Sequence, residues 1–200
     1  MTHLDTYNGT EWYSCAETAA VIRTVLKGKF PGVKFSVRSK TYSGGASIDI
    51  SWTDGPTTKE VDAATSHLES KGFDGSIDMA YGKRQWRMPD GTIVFAGTSG
   101  TQGSMGMFAA IEVAKPHPDA APVRMGADYI FTNRHYSASF IDKNLPAVCK
   151  KYGIPTLAVE TYKGNTAHWY DYWLDDTGCR QYLDNGLRHW INDDLTSISI

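Results

Sequence analysis

The chain is poor in cysteine and lacks any long apolar run, and both absences narrow its class. Cys15, Cys149 and Cys179 stand far apart in 200 residues. An odd count with no close pair argues against a disulfide framework and a zinc knuckle, and reads as reduced thiols. No apolar run approaches the ~18 residues of a membrane span. Residues 1–12 show no basic stretch followed by an apolar one, so a cytoplasmic protein without a signal peptide is expected. A large net charge is also missing. With 20 Lys and Arg against 22 Asp and Glu, the balance of −2 fits neither a DNA mimic nor a generally basic DNA-coating protein. Catalytic signatures are equally scarce. The six histidines form no HxxxH or HExxH and no Cys/His pair at ligand spacing. The glycine-rich stretch 97–106 lacks GxGxxG spacing and a following Lys-Ser/Thr, and there is no GxSxG. It is expected to be a hairpin loop or a flap that orders on binding. No catalytic residue, cofactor or metal is assigned.

What is present describes a globular chain. Hydrophobic residues at 41% and charged residues at 21% match ordinary folded domains, which argues against global disorder. Ser14-Cys15-Ala16-Glu17 has the form of a capping box, followed by Ala19, Ile22, Val25, Leu26 and Phe30 at helical spacing and a Pro31-Gly32 stop. Strict alternation then predicts a β-hairpin. Val33, Phe35 and Val37 face inward and Lys34, Ser36 and Arg38 outward; after a Gly44-Gly45 loop, Ile48, Ile50 and Trp52 share a face. Asp54-Gly55-Pro56 is a turn, and Thr57-Thr58-Lys59-Glu60 offers a second capping box ahead of Val61, Ala64, Thr65 and Leu68. The order α-β-β-α predicts two helices on one face of an antiparallel sheet, within an α+β fold.

The middle of the chain reads as β-rich. Residues 85–87 and 92–96 flank the turn Met88-Pro89-Asp90-Gly91, and 127–132 and 157–162 read as strands. Ser137 is positioned to cap a helix reaching about Tyr152, bent or interrupted at Pro146. The aromatic tail from His168 is expected to form one or two helices. Residues 115–122 hold three prolines and make the best linker. That divides the chain into an α+β domain at 1–114 and a C-terminal α/β subdomain at 123–200 packed on it, although the whole also reads as one domain.

The stretch VKFSVRSKTYSGGASIDISWTDGP at 33–56, with SCAETAAVIRTVLKGKFPG before it and FDGSIDM at 73–79, resembles large polyvalent protein-associated domain 29. GADYIFTNRHYS at 126–137 resembles a later segment of the same group. The resemblance implies a phage or conjugative-plasmid accessory protein in a bacterial host cell, of a kind thought to blunt host defences. It carries over no catalytic residues.

Charge is the most informative local feature. Between Thr18 and Ile48 there is no acidic residue, while Arg23, Lys27, Lys29, Lys34, Arg38 and Lys40 supply positive charge. With Lys40 and Tyr42 expected in the hairpin loop, Arg23, Lys27, Lys34, Arg38, Lys40 and Tyr42 form a candidate surface for nucleic-acid phosphates and a stacked base, or for another partner. The plainer reading of these cations is a solvated sheet face that protects an edge strand. In the tail, Asp171, Asp175, Asp176, Asp184, Asp193 and Asp194 among Trp and Tyr suit a protein-binding face, or simply caps beside an aromatic core. The opposite charges of the two regions also suit a homodimer. Arg134 and His135, at a strand end, form a second candidate for anion binding or proton transfer, with Asp128, Glu160, His168 and Asp171 as partners. The expected function is therefore non-enzymatic binding of a host defence protein or nucleic acid. The alternative is a small nucleotide- or nucleic-acid-directed enzyme centred on Arg134 and His135.

Overall fold

The structure, a computed structural model, describes residues 9–101, 108–161, 167–169, 172–174, 177, 179–183 and 185–199. Chain contacts divide it into two compact units, Met1–Ile50 with Val61–Thr132, and Ser51–Glu60 with Asn133–Ile200. The fold is α+β, and the helix–strand–strand–helix order at the start is as the sequence predicts.

In the first unit, β1 (Glu11–Trp12) leads into α1 (Cys15–Lys29). The Ser14 hydroxyl accepts from the Glu17 N–H, while the Glu17 carboxylate accepts from the Ser14 N–H at 2.8 Å, which closes the capping box. Ala19, Ile22 and Leu26 are buried, one stripe of the helix. The hairpin follows as β2 (Ser36–Tyr42) and β3 (Gly45–Thr53). Its turn needs only Ser43 and Gly44, because Gly44 adopts φ 91°. Two details therefore differ from the sequence reading. Lys40 and Tyr42 belong to strand β2, not to a loop, and residues 33–35 precede the strand, where the Phe35 ring lies 5.9 Å from Phe30. Ala46, Ile48, Ile50 and Trp52 are buried on alternate positions. The capping box at Thr57 and Glu60 also forms and starts α2 (Thr58–Thr65). A 3-10 turn (Ser66–Leu68) follows. Full burial of Ile22, Leu26, Ile48, Ile50, Val61 and Leu68 contributes about 1.5–3 kcal/mol for each large side chain.

The β-rich middle forms one sheet. β4 (Lys71–Asp74), β5 (Met79–Arg87), β6 (Ile93–Thr98), β7 (Ile111–Glu112) and β8 (Ala121–Arg124) join β1 in the order β1-β8-β5-β6-β7, with β4 also on β5. The pairs are antiparallel except β1 with β8. The proline stretch 115–122 therefore runs into a strand of this sheet, and the units part at 50/51, 60/61 and 132/133 instead. A proline is tolerated at position 122 because β1 begins to pair with β8 only at Val123, so that ladder does not call on the N–H that Pro122 lacks. The helix–hairpin part has its own sheet, ordered β2-β3-β9, where β9 is Tyr129–His135.

In the second unit, α3 (Ala138–Lys151) is capped by Ser137, whose hydroxyl accepts from the Phe140 N–H at 3.1 Å. The helix runs through Pro146 without interruption, since Leu145 and Val148 on either side are buried and hold it. The tail holds one helix, α4 (Asn185–Thr196), within the one or two expected, and it departs from the helical expectation before that. There it forms two antiparallel ribbons, β10 (Val159–Thr161) with β11 (Ala167–Trp169) and β12 (Tyr172–Leu174) with β13 (Arg180–Tyr182). Clustered Trp and Tyr suit strands better than helices. Phe140, Ile141, Leu145, Val148, Cys149, Leu157, Ile191 and Leu195 make this unit's core.

Candidate nucleic-acid interface

α1 and the edge strand β2 carry the basic residues. Lys27, Lys34, Arg38, Lys40 and Tyr42 are all exposed, as is Arg23. Arg23 is anchored: its Nη2 donates to the Val37 carbonyl at 2.7 Å, which ties the helix to a strand edge that no other strand covers among the described residues. The remaining cations contrast sharply with those of the larger sheet. There, Lys71 pairs with Asp128, Lys83 with Glu69, Arg84 with Glu112 and Arg87 with Glu11, at 2.6–3.0 Å. Lys27, Lys34, Arg38 and Lys40 form no ion pair among the described residues.

Alternation sets which way β2 presents its side chains. Val37 is buried toward the helices, so Arg38, Lys40 and Tyr42 stand on the opposite, outer face. The Tyr42 ring lies against Gly45, where an added Cβ would meet its Cε2 at 3.0 Å, and this glycine lets the ring settle on the sheet. β9 adds residues that the sequence reading did not single out. Thr132 Oγ1 donates to Asp62 of α2 at 2.7 Å, so Thr132 faces the helix layer and its neighbour Phe131 faces outward. Phe131 is 55% exposed, and its ring lies 6.4 Å from that of Tyr129, two residues away on the same side. Strand alternation in 127–132 was the signal available. Asp49 is the one acidic group on the outer face of β3, and it is exposed.

Arg134 and His135 are not brought together. They are adjacent in a strand, so their side chains leave opposite faces. Arg134 is 7% exposed, and its guanidinium N–H donors reach four carbonyls: Nε to Asp54 at 3.1 Å, Nη2 to Gly55 at 2.9 Å and Ile198 at 2.7 Å, and Nη1 to Thr196 at 3.1 Å. The rings of Tyr136 and Phe140 lie 5.0 and 5.1 Å from it. The guanidinium thus fastens the 54–55 turn and the segment after α4, and it is largely committed before any anion arrives. Of the partners named for this pair, Asp128 accepts from Lys71, Ser70 and the Ala46 N–H. The side chains of Glu160 and His168, and all of Asp171, lie outside the described residues.

The other expected features divide the same way. Asp171, Asp175, Asp176 and Asp184 lie outside the described residues, as does 102–107 of the glycine-rich stretch. Asp194 accepts from Lys151 at 2.6 Å and from Tyr152 at 3.0 Å, and these bonds hold its carboxyl below the usual range. A cavity of about 700 Å³ in the first unit is lined by Val21, Thr24, Val25, His67 and Phe95. Its one imidazole, His67, donates from Nε2 to the Ile93 carbonyl at 3.1 Å, and burial pushes its pKa down. Among the described residues no group of three or more His, Cys, Asp or Glu is placed to hold a metal. No described helix is long and apolar enough to cross a membrane.

The model of large polyvalent protein associated domain 29 matches residues 13–137. No curated protein and no solved structure matches the chain. The match covers well over half of the sequence, from the capping box of α1 through the end of β9. On that span, the chain belongs to the large polyvalent protein associated domain 29 family, a polyvalent-protein-associated domain of phages and mobile elements.

Proposed function

We propose that the chain acts by contact, as an accessory protein of a phage or conjugative element, and that its basic α1–β2 surface binds nucleic acid in the service of counter-defence. One observation carries this reading. Lys71, Lys83, Arg84 and Arg87 of the larger sheet are matched by carboxylates, whereas Lys27, Lys34, Arg38 and Lys40 are exposed and without an ion pair among the described residues. Unpaired cations gathered on α1 and the neighbouring strand β2, on a chain of net charge −2, favour a polyanion there without coating the whole protein.

Four phosphate contacts predict that log K falls against log salt with a slope of about −2.8 for a single strand or −3.6 for a duplex. Fluorescence anisotropy over a salt series measures that slope. The triple variant Lys34→Ala, Arg38→Ala, Lys40→Ala leaves only Lys27 and flattens the single-strand slope to about −0.7. A triple variant that folds and binds with the wild-type slope removes this reading.

A protein partner is the second reading, favoured by the exposed Leu174, Tyr182 and Trp190 of the second unit, where aromatic anchors are available. Its test is Trp190→Ala, which should abolish recovery of a host protein from infected cells while nucleic-acid binding persists.

A further inference from the structure

We infer that the outer face of the β2-β3-β9 sheet binds single-stranded nucleic acid, with Phe131 and Tyr42 as platforms for unstacked bases and Arg38 and Lys40 as phosphate contacts. This rests on the proposed nucleic-acid reading of the basic surface and names the form of nucleic acid. Phe131 and Tyr42 are 55% and 48% exposed, large rings left open to water on the same face as the two cations. β3 lies between them and carries short side chains there, the buried Ser47 and the carboxylate Asp49. The rings and cations therefore rise from the edges of a shallow floor. Arg38 and Lys40 are two residues apart on one strand, roughly 7 Å, which lets each meet a separate phosphate.

The topology disfavours duplex. A major groove about 12 Å wide admits an isolated two-stranded ribbon. Here both edges of β3 are taken, by β2 and β9, so the hairpin is the side of a three-stranded sheet. The outer strands lie roughly 10 Å apart before side chains are added, too wide to enter the groove. Bases stacked on sheet aromatics with the backbone held by cations is how an open sheet surface engages a single strand. The same geometry assigns Asp49 an opposing role, a negative charge beneath the phosphate track.

The test uses a fluorescein-labelled single strand of about 16 nucleotides, within the range of such sites, and a duplex of the same length, both at fixed salt. The single strand should bind tighter than the duplex. Phe131→Ala should weaken single-strand binding at least about fivefold while leaving duplex binding and melting temperature unchanged, Phe131→Trp should restore it, and Asp49→Asn should tighten it. If Phe131→Ala binds as wild type while loss of Lys34, Arg38 and Lys40 weakens binding, the platform is refuted and the basic surface stands. Equal or tighter binding of duplex also refutes it. If the wild-type chain binds neither, both readings fall.

Discussion

Replacing Arg134 separates a structural clamp from a ligand site. Arg134→Ala removes four charge-assisted bonds and leaves the carbonyls of Asp54, Gly55, Thr196 and Ile198 to find water. A hydrogen bond to a charged group contributes about 1.5–3 kcal/mol. The four are not additive, since they act as one unit on two segments. Water entering the gap recovers part, and a buried acceptor left without its donor costs about 1–3 kcal/mol. Near the upper bound, about 3 kcal/mol because four carbonyls lose their donor together, a chain of this size loses roughly 6–12 °C in melting temperature. Arg134→Lys keeps the charge but not the planar fork, so it should cost less than the alanine change yet still be clearly destabilising. Calorimetry gives the melting temperature. Hydrogen exchange gives the location, with faster exchange of the Ser197 and Ile198 amides, which bond to the Asp193 and Leu195 carbonyls. If Arg134→Ala melts with the wild type and those amides stay protected, the clamp is wrong and the anion-site reading of this arginine returns.

Gly126 tests a close backbone approach. A Cβ there would sit 2.2 Å from the Tyr13 carbonyl oxygen and 2.6 Å from the Cys15 nitrogen, so Gly126→Ala should lower the melting temperature far more than the same change at Gly28, which meets nothing. Ser14→Ala should cost about 1 kcal/mol by denaturant unfolding, the usual worth of an N-cap. His67 predicts a pH effect. Its folded pKa lies below its unfolded value because of burial, so the unfolded chain takes up the proton first as pH falls. The stability it contributes is complete above the unfolded pKa of about 6.5 and is lost as pH drops through the folded value. His67→Gln should therefore show a shallower loss of melting temperature than wild type between about pH 7.5 and 5.5; parallel curves would refute the assignment.

Local physics was legible in the sequence. Ser14 with Glu17 and Thr57 with Glu60 carry their helix starts within four residues, and a strand that buries Ile48, Ile50 and Trp52 declares its face by alternation. The basic surface followed from the same alternation, once acidic residues were seen to be missing around it. The aromatic tail misled because Trp and Tyr at two-residue spacing fit a ribbon as well as a helix face.

Partnership across the chain was decided only by the tertiary structure. Nothing near Glu11 announces that β1 pairs with β8, more than a hundred residues away in sequence, or that β9 joins the hairpin's sheet. Gln85 is fully buried because its amide nitrogen donates to the His67 and Glu69 carbonyls and its oxygen accepts from Met125, three partners from two distant segments. Arg134 reads in sequence as a free cation at a strand end and proves to be a clamp for the same reason. A short-range pattern fixes the conformation of a segment, whereas the use of a polar side chain depends on which carbonyls and carboxylates the rest of the fold delivers to it.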